Sequence, residues 1–137
     1  MKALWTAGSL LALVLLVAQI PKNNATGIWQ ESNSGSKYEI HQNGQNVQVK
    51  LVAGSNSKYL QYEVALKNQD EVNTYKGTGK FVAKMESGKE CKFETEWQFV
   101  VVSPERILGT TTRVLADKNT CAIKEKSQTQ LDLKKQK

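Results

Sequence analysis

The chain has 137 residues, of which 39% are hydrophobic and 23% charged, and its formal net charge is +6. This length suffices for one domain with its own core and leaves little room for a second. The basic excess does not indicate nucleic-acid binding, because the sequence contains neither a recognition-helix motif nor an aromatic platform motif.

Residues 1–18 have the layout of a secretory signal peptide, with one lysine near the start followed by an apolar run. We expect this segment to form a helix that is cleaved after Ala18, with residues 19–25 as a linker and residues 26–137 as the folded domain. An uncleaved membrane anchor is the alternative, although polar and small residues dilute the run below the roughly 20 apolar residues of a spanning helix. The protein is therefore expected to be secreted or periplasmic, and to contact a membrane only if this segment is retained.

The remaining sequence alternates between apolar and polar residues, and no helical period appears in it. Asn43-Gly44 predicts a tight hairpin because a type I′ turn needs positive φ at both central residues. Gly77 and Gly79 predict a bend within one strand, and Pro104 ends another. The alternating runs predict about eight strands, over residues 26–31, 37–42, 46–53, 60–67, 72–85, 91–101, 106–116 and 121–133.

Short connections between all of these strands favour an up-and-down antiparallel order. A sheet of this width has two exposed edges unless it closes on itself, and closure removes them. We therefore predict an all-β chain with a single closed barrel of about eight strands, and a sandwich is the less favoured alternative. A barrel of eight strands is just wide enough for side chains or for one small ligand.

Two cysteines, Cys91 and Cys121, lie in the domain. In an oxidising compartment an even number of cysteines indicates a disulfide, and two free buried thiols are the alternative. Neither cysteine has a partner at metal-ligand spacing, so no zinc site or other metal site is predicted.

The first strand carries Gly27-Ile28-Trp29, which resembles the G-x-W signature of the calycin group, comprising lipocalins, fatty-acid-binding proteins and avidins. The following KYEIHQNGQNV is similar to the second and third strands of small lipocalin-like proteins. The resemblance implies a lipocalin- or avidin-like barrel in which Trp29 closes one end and a basic side chain from a late strand packs across it. Arg113 is the first candidate for that partner and Lys124 the second.

The face of the strands that carries the aliphatic residues also carries Tyr38, Tyr62, Thr95 and Trp97, with Thr111 and Arg113 as further candidates. A few polar groups among aromatic rings are typical of a small-molecule pocket. The same side chains could instead fill a small barrel, with their hydroxyl groups bonded to one another. Both interpretations stay open at this stage.

No catalytic site is predicted, and no cofactor. The single histidine, His41, lies on a polar strand face without an orienting carboxylate or a nucleophile nearby. The glutamates at 90, 94 and 96 are interpreted as a hydrated outer face, and the sequence KGTGK at 76–80 lacks the spacing of a phosphate loop.

Two functions follow as expectations. The first is an exported, calycin-like barrel that binds a small apolar or amphipathic molecule in its interior. The second is a ligand-free interaction or inhibitor module, which would contact an anionic envelope component or a protein through its loops and a lysine-rich C-terminal tail.

Overall fold

The computed structural model describes residues 21–55 and 57–137, and this part of the chain forms eight strands and no helix. Each strand pairs antiparallel with the next and β8 pairs with β1, which confirms the predicted closed up-and-down barrel. The predicted signal peptide at 1–18 lies outside the described residues. The strands are β1 (Gly27–Glu31), β2 (Lys37–Asn43), β3 (Asn46–Leu51), β4 (Tyr59–Asn68), β5 (Thr74–Lys84), β6 (Glu90–Ser103), β7 (Arg106–Ala116) and β8 (Ile123–Lys135).

The two ends of the barrel differ. The lower end carries the β2–β3, β4–β5 and β6–β7 connections together with the segment before β1 and the C-terminus, and the upper end carries the other four connections. All strands but β7 differ from the prediction by one or two residues at one end or both, and two of the later starts have a clear backbone cause. β5 begins at Thr74 because Asn73, with φ of 64°, still belongs to the turn, and β8 begins at Ile123 because Cys121, with φ of 65°, ends the preceding loop.

The apolar residues of the alternating sequence face the interior and form the core, as predicted. In β6 every second residue from Cys91 to Val101 is buried, while the glutamates and lysines between them are exposed. The Asn43-Gly44 hairpin also forms, with Gly44 at φ of 61°. β8 extends two residues beyond its predicted end, so Lys134 and Lys135 of the lysine-rich tail belong to the barrel wall, and its Leu131 and Leu133 are buried in the core.

The lower end is closed by Trp29 and by the segment that precedes β1. Trp29 is fully buried, and its Nε1 donates a hydrogen bond to the carbonyl oxygen of Ala25 at 2.8 Å. Upstream, the backbone N–H of Asn23 donates to Oδ1 of Asn73 in the β4–β5 turn at 2.8 Å. The described part of the predicted linker at 19–25 is therefore packed across the barrel end, which satisfies the polar groups that burial of this end would otherwise leave unpaired.

The backbones of β4 and β5 approach closely at the two glycines for which the sequence predicts a bend. A Cβ atom at Gly77 would lie 1.8 Å from the carbonyl oxygen of Ala65, and one at Gly79 would lie 2.0 Å from that of Glu63. No side chain fits at such distances, so only glycine lets β4 and β5 pack this closely. Glycine at these positions permits the curvature that a small closed barrel requires.

The seam that closes the barrel is short. β1 and β8 share three residue pairs, from Trp29 opposite Lys135 to Glu31 opposite Leu133. Immediately above, the Oε2 atom of Glu31 accepts the backbone N–H of Asp132 at 2.8 Å, and the ladder ends there. β8 continues upward for nine further residues without β1 beside it.

The ladder between β6 and β7 also ends early. Its uppermost pair is Trp97 with Thr111, and the hydroxyl of Thr112 then accepts a backbone N–H of β6 at 2.9 Å. The β7–β8 ladder continues past this level to the ends of both strands. Residues 112–116 and 123–130 therefore form a two-stranded extension above the closed part of the barrel, which we call the β7–β8 ribbon.

A disulfide holds the tip of the ribbon. Cys91, near the start of β6, is bonded to Cys121 in the β7–β8 connection, with a Cα–Cα separation of 5.5 Å. The predicted disulfide is confirmed, and the alternative of two free thiols is wrong. The hydroxyl of Ser87 in the β5–β6 turn also donates to the carbonyl oxygen of Lys118. The two upper hairpins are thus joined at their tips.

We predict that the double variant Cys91→Ala/Cys121→Ser loses about 3–4 kcal/mol of unfolding free energy, the chain-entropy value for a crosslink across about 30 residues. Urea unfolding measures this loss. In hydrogen exchange, amides of the ribbon should lose more protection than the global change explains, because the disulfide is their main tie to β6. Equal relative losses at residues 29–31 and in the ribbon would contradict this role.

Candidate functional site

The four residues predicted to line a ligand meet in the middle of the barrel. Nε1 of Trp97 donates to the hydroxyl of Tyr62 at 2.9 Å, and that hydroxyl lies 3.2 Å from Oγ1 of Thr95 and 3.4 Å from Oγ1 of Thr111. The ring of Tyr38 is 5.5 Å from that of Tyr62 and 5.4 Å from that of Trp97 between centroids. All four predicted residues are at most 4% exposed.

These side chains fill the barrel at their own level. The polar atoms of Tyr62, Thr95 and Trp97 are linked by hydrogen bonds, and Ser55 Oγ, in the β3–β4 connection, is the one buried side-chain polar atom without a partner in the described part of the chain. A preformed polar pocket would instead present unpaired donors or acceptors toward a cavity. At this level the structure therefore favours the filled-core interpretation. We call Tyr62, Thr95 and Thr111 the hydroxyl layer.

Above the hydroxyl layer the inner face is polar and open to solvent along β8, whereas along β6 it stays apolar and buried at Phe93 and Cys91. On β8 the buried Leu131 and Leu133 are followed, on the same strand face, by Thr129 and Ser127, both exposed. Thr129 stands opposite Thr111 on β7, and Ser127 stands opposite Arg113. Thr111 is half-buried, so solvent reaches the hydroxyl layer from the upper end of the barrel.

An aromatic ring faces these polar groups. Tyr59, at the start of β4, is half-buried, and its ring centroid lies 5.0 Å from that of Tyr62 and 5.2 Å from that of Phe81. Burial raises the pKa of Tyr59 to about 12, the neighbouring Tyr62 adds to the rise, and the positive charge of Arg113 opposes it. Arg113 therefore lies within electrostatic reach of Tyr59. We call Tyr59, Thr111, Arg113, Ser127 and Thr129 the mouth site.

The basic partner of Trp29 differs from the prediction. Lys135 Nζ lies 5.9 Å from the ring centroid of Trp29, and these residues are directly paired on β8 and β1. Arg113 pairs with Ser127, eight residues from Lys135 along β8 and thus about 26 Å away at 3.3 Å per residue. The prediction of Arg113, or of Lys124, as this partner is wrong. A prediction that included the register between β1 and β8 would have identified Lys135 as the partner of Trp29.

Two of the shallow depressions on the outside of the barrel are relevant to binding. One holds about 660 Å³ across the outer faces of β4, β5 and β6, beside Ile123 and Lys126 of β8, and its charged side chains are of both signs. The other holds about 600 Å³ at the lower end and is lined mainly by Ser103, Glu105, Arg106, Lys134, Lys135 and Lys137.

The cations of the lower depression are partly engaged. Arg106 donates two hydrogen bonds to the carboxylate of Asp132, which lowers the pKa of Asp132 and raises that of Arg106. Lys135 packs on Trp29, as described above. Lys134 and Lys137 have no ion-pair partner within residues 21–55 and 57–137.

Residues 21–55 and 57–137 contain no group of three or more side chains that could hold a metal ion. In the same part of the chain, no helix has the length and hydropathy that crossing a membrane requires. His41 is exposed on the outer face of β2.

Comparison with family models, with curated proteins and with solved structures finds no match to this chain. The closed eight-stranded antiparallel barrel is compatible with a calycin-like fold.

We predict that Tyr62→Phe lowers the unfolding free energy by about 1–3 kcal/mol, because it leaves the buried indole N–H of Trp97 without an acceptor. Urea unfolding followed by tryptophan fluorescence measures the change. Tyr59→Phe is the matched control, since the Tyr59 hydroxyl has no hydrogen-bond partner among the described residues, and it should change stability by less than about 0.5 kcal/mol. Equal effects of the two variants would contradict a role for the hydroxyl layer in stability.

We also predict that stability falls in alkali. Burial raises the pKa of Tyr38 far above its usual value of 10.0, with Tyr62, Tyr59 and Glu31 adding to the rise, and the pKa of Tyr59 is about 12. Because the folded state holds these protons more tightly than the unfolded state, their stabilisation is complete below about pH 10 and falls above it. The contribution of Tyr59 is lost as the pH rises through about 12, and that of Tyr38 continues to fall beyond this pH.

Urea unfolding at a series of alkaline pH values, with phenolate absorbance recorded in parallel, measures this loss. Tyr38→Phe should flatten the alkaline decline, since the protein then has one tyrosine fewer to keep neutral. A decline of the same steepness in Tyr38→Phe and in the parent protein would show that other groups cause it.

Proposed function

We propose that this chain is an exported, calycin-like binding protein that holds a small amphipathic molecule with an anionic group at the mouth site. The observation that carries this proposal is the change of character along one strand face. On β8 that face is apolar and buried at Leu131 and Leu133, and it is polar and exposed at Thr129 and Ser127. A barrel that only needed filling would continue with apolar residues.

The chemistry of the mouth site supports a ligand with two unlike parts. Tyr59 offers a partly exposed ring that rests on the buried aromatic cluster, so an apolar group can pack there without exposing the core. Arg113 offers a permanent positive charge and several N–H donors. The hydroxyls of Thr111, Thr129 and Ser127 can add hydrogen bonds to an anionic oxygen.

The disulfide is compatible with an oxidising, extracytoplasmic location. Export itself rests on the signal-like sequence of residues 1–18. The proposed role is binding rather than catalysis, because the mouth site offers no general base beside a nucleophile.

We predict that anilinonaphthalene sulfonate, which joins an aromatic system to an anionic group, binds saturably and gains fluorescence. Phenyl-naphthylamine, the same ring system without the sulfonate, serves as the neutral probe. Arg113→Gln should weaken binding of the sulfonate about tenfold, corresponding to about 1.4 kcal/mol, and should leave the neutral probe within about twofold. The pair of probes separates loss of charge recognition from loss of the apolar surface.

Lys118→Gln is the matched control, since it removes an exposed cation from the β7–β8 connection outside the mouth site. Urea unfolding of each variant verifies that the fold is retained. The proposal fails if neither probe saturates, or if Arg113→Gln and Lys118→Gln weaken sulfonate binding equally.

A second candidate function is attachment to an anionic surface through the lower depression, where Lys134 and Lys137 remain without ion-pair partners in the described chain. Salt-sensitive binding to phosphatidylglycerol vesicles tests it. Binding that is lost in Lys134→Gln/Lys137→Gln and retained in Arg113→Gln favours this candidate. Truncation of the C-terminus is unsuitable as a test, because it would remove Leu131 and Leu133 from the core.

A further inference from the structure

The upper part of β8 is an open sheet edge. β1 ends at Glu31, so within residues 21–55 and 57–137 no strand pairs with β8 on that side from Ile123 to Leu131. All residues from 123 to 130 are exposed. A strand edge of this kind presents unpaired N–H and C=O groups and can template another strand.

Two hydrogen bonds establish which backbone groups face this edge. The N–H of Asp132 donates to Oε2 of Glu31, and its carbonyl oxygen accepts the N–H of Ser32, so both groups of Asp132 point away from β7. In a strand these directions alternate from residue to residue. The register with β7 is regular between residues 125 and 132, so Lys126, Gln128 and Gln130 also direct N–H and C=O toward the open edge.

The side chains along the edge indicate what can lie there. Lys126, Gln128 and Gln130 share the strand face of Asp132, on the outside of the barrel, and a strand added beside them would place its own outward side chains next to these three. One of the three is a cation and none is an anion. Of the exposed residues that precede them, Lys124 adds positive charge, and Glu125 carries its negative charge on the opposite strand face.

A second copy of this chain is the less favourable occupant. Each copy carries a formal charge of +6, so edge-to-edge pairing would bring two positively charged proteins together. An acidic segment is instead attracted to the positively charged protein. It also forms the main-chain hydrogen bonds that give strand addition its affinity.

We propose that an extended peptide segment with acidic side chains at alternating positions adds to the β8 edge at residues 126–130, in the position that β1 would occupy if it were longer. This partner is distinct from the small molecule at the mouth site. The open edge alone carries the inference, which stands whether or not the mouth site binds a ligand.

The probe is an acetylated peptide of alternating threonine and glutamate, about eight residues long and thus able to span the edge. The same peptide with lysine in place of glutamate is the control. At saturation the glutamate peptide should slow amide exchange at Lys126, Gln128 and Gln130, and leave Ser127 and Thr129, whose amides face β7, unchanged. The lysine peptide should bind at least about tenfold more weakly.

Gln128→Pro should weaken the glutamate peptide about tenfold or more, because proline removes a donor at the edge while the β7–β8 ladder does not use that N–H. Gln128→Ala, which keeps the N–H, should bind within about twofold of the parent protein. Lys126→Glu should reverse the preference and favour the lysine peptide. This reversal tests the proposal even if the proline variant does not fold.

Three results would overturn the proposal. The first is unchanged exchange at the edge amides at saturating peptide. The second is equal binding by Gln128→Pro and Gln128→Ala. The third is protection of the edge amides that grows with protein concentration in the absence of peptide, which would identify a second copy as the occupant.

Discussion

The architecture depends on how briefly the first and last strands meet. β1 has five residues and shares three pairs with β8, all at the level of Trp29 and Lys135. There the barrel is closed and the indole is completely buried. Above it, no strand of the described chain pairs with β8 on one side of the β7–β8 ribbon. On the other side, the pairing of β7 with β6 ends at Thr111. Because β1 has 5 residues and β8 has 13, the barrel is closed at its lower end and open at its upper end.

The hydroxyl layer marks the transition between these regions. The buried Tyr62 hydroxyl donates to Thr95 and accepts the indole N–H of Trp97. Thr111 is half-buried and stands opposite Thr129 in the β7–β8 ladder. The same hydrogen-bonded groups thus complete the core from below and form the floor of the mouth from above. Mutual satisfaction of their polar atoms avoids the cost of burying unpaired groups.

Sequence patterns predict the local features well and the long-range ones poorly. The alternation of β6 and the Asn43-Gly44 hairpin depend on neighbouring residues, and the structure confirms both of them. The choice of Arg113 as the partner of Trp29 is wrong because it required the register between β1 and β8, which no local pattern encodes. Ser127 and Thr129 could not be recognised as inner-face residues, since both faces of β8 are polar there.

The interior residues show a related limit of prediction from sequence. Tyr38, Tyr62, Thr95 and Trp97 could be assigned to one face from their spacing, and the structure brings them together. Whether they surround a ligand or fill the space between them depends on barrel diameter and side-chain orientation, which spacing does not determine.

The β1–β8 seam also has a consequence for how the molecule reaches its native state. Trp29 and Lys135 are roughly a hundred residues apart in the chain, so their pairing carries a large loop-closure cost and belongs among the slow steps of folding. A nascent chain that does not yet extend through residues 126–135 has neither the strand that pairs with β1 beside Trp29 nor the leucines that complete the core. Closure of the barrel therefore waits for the synthesis of β8, and until then the edge of β1 is unpaired.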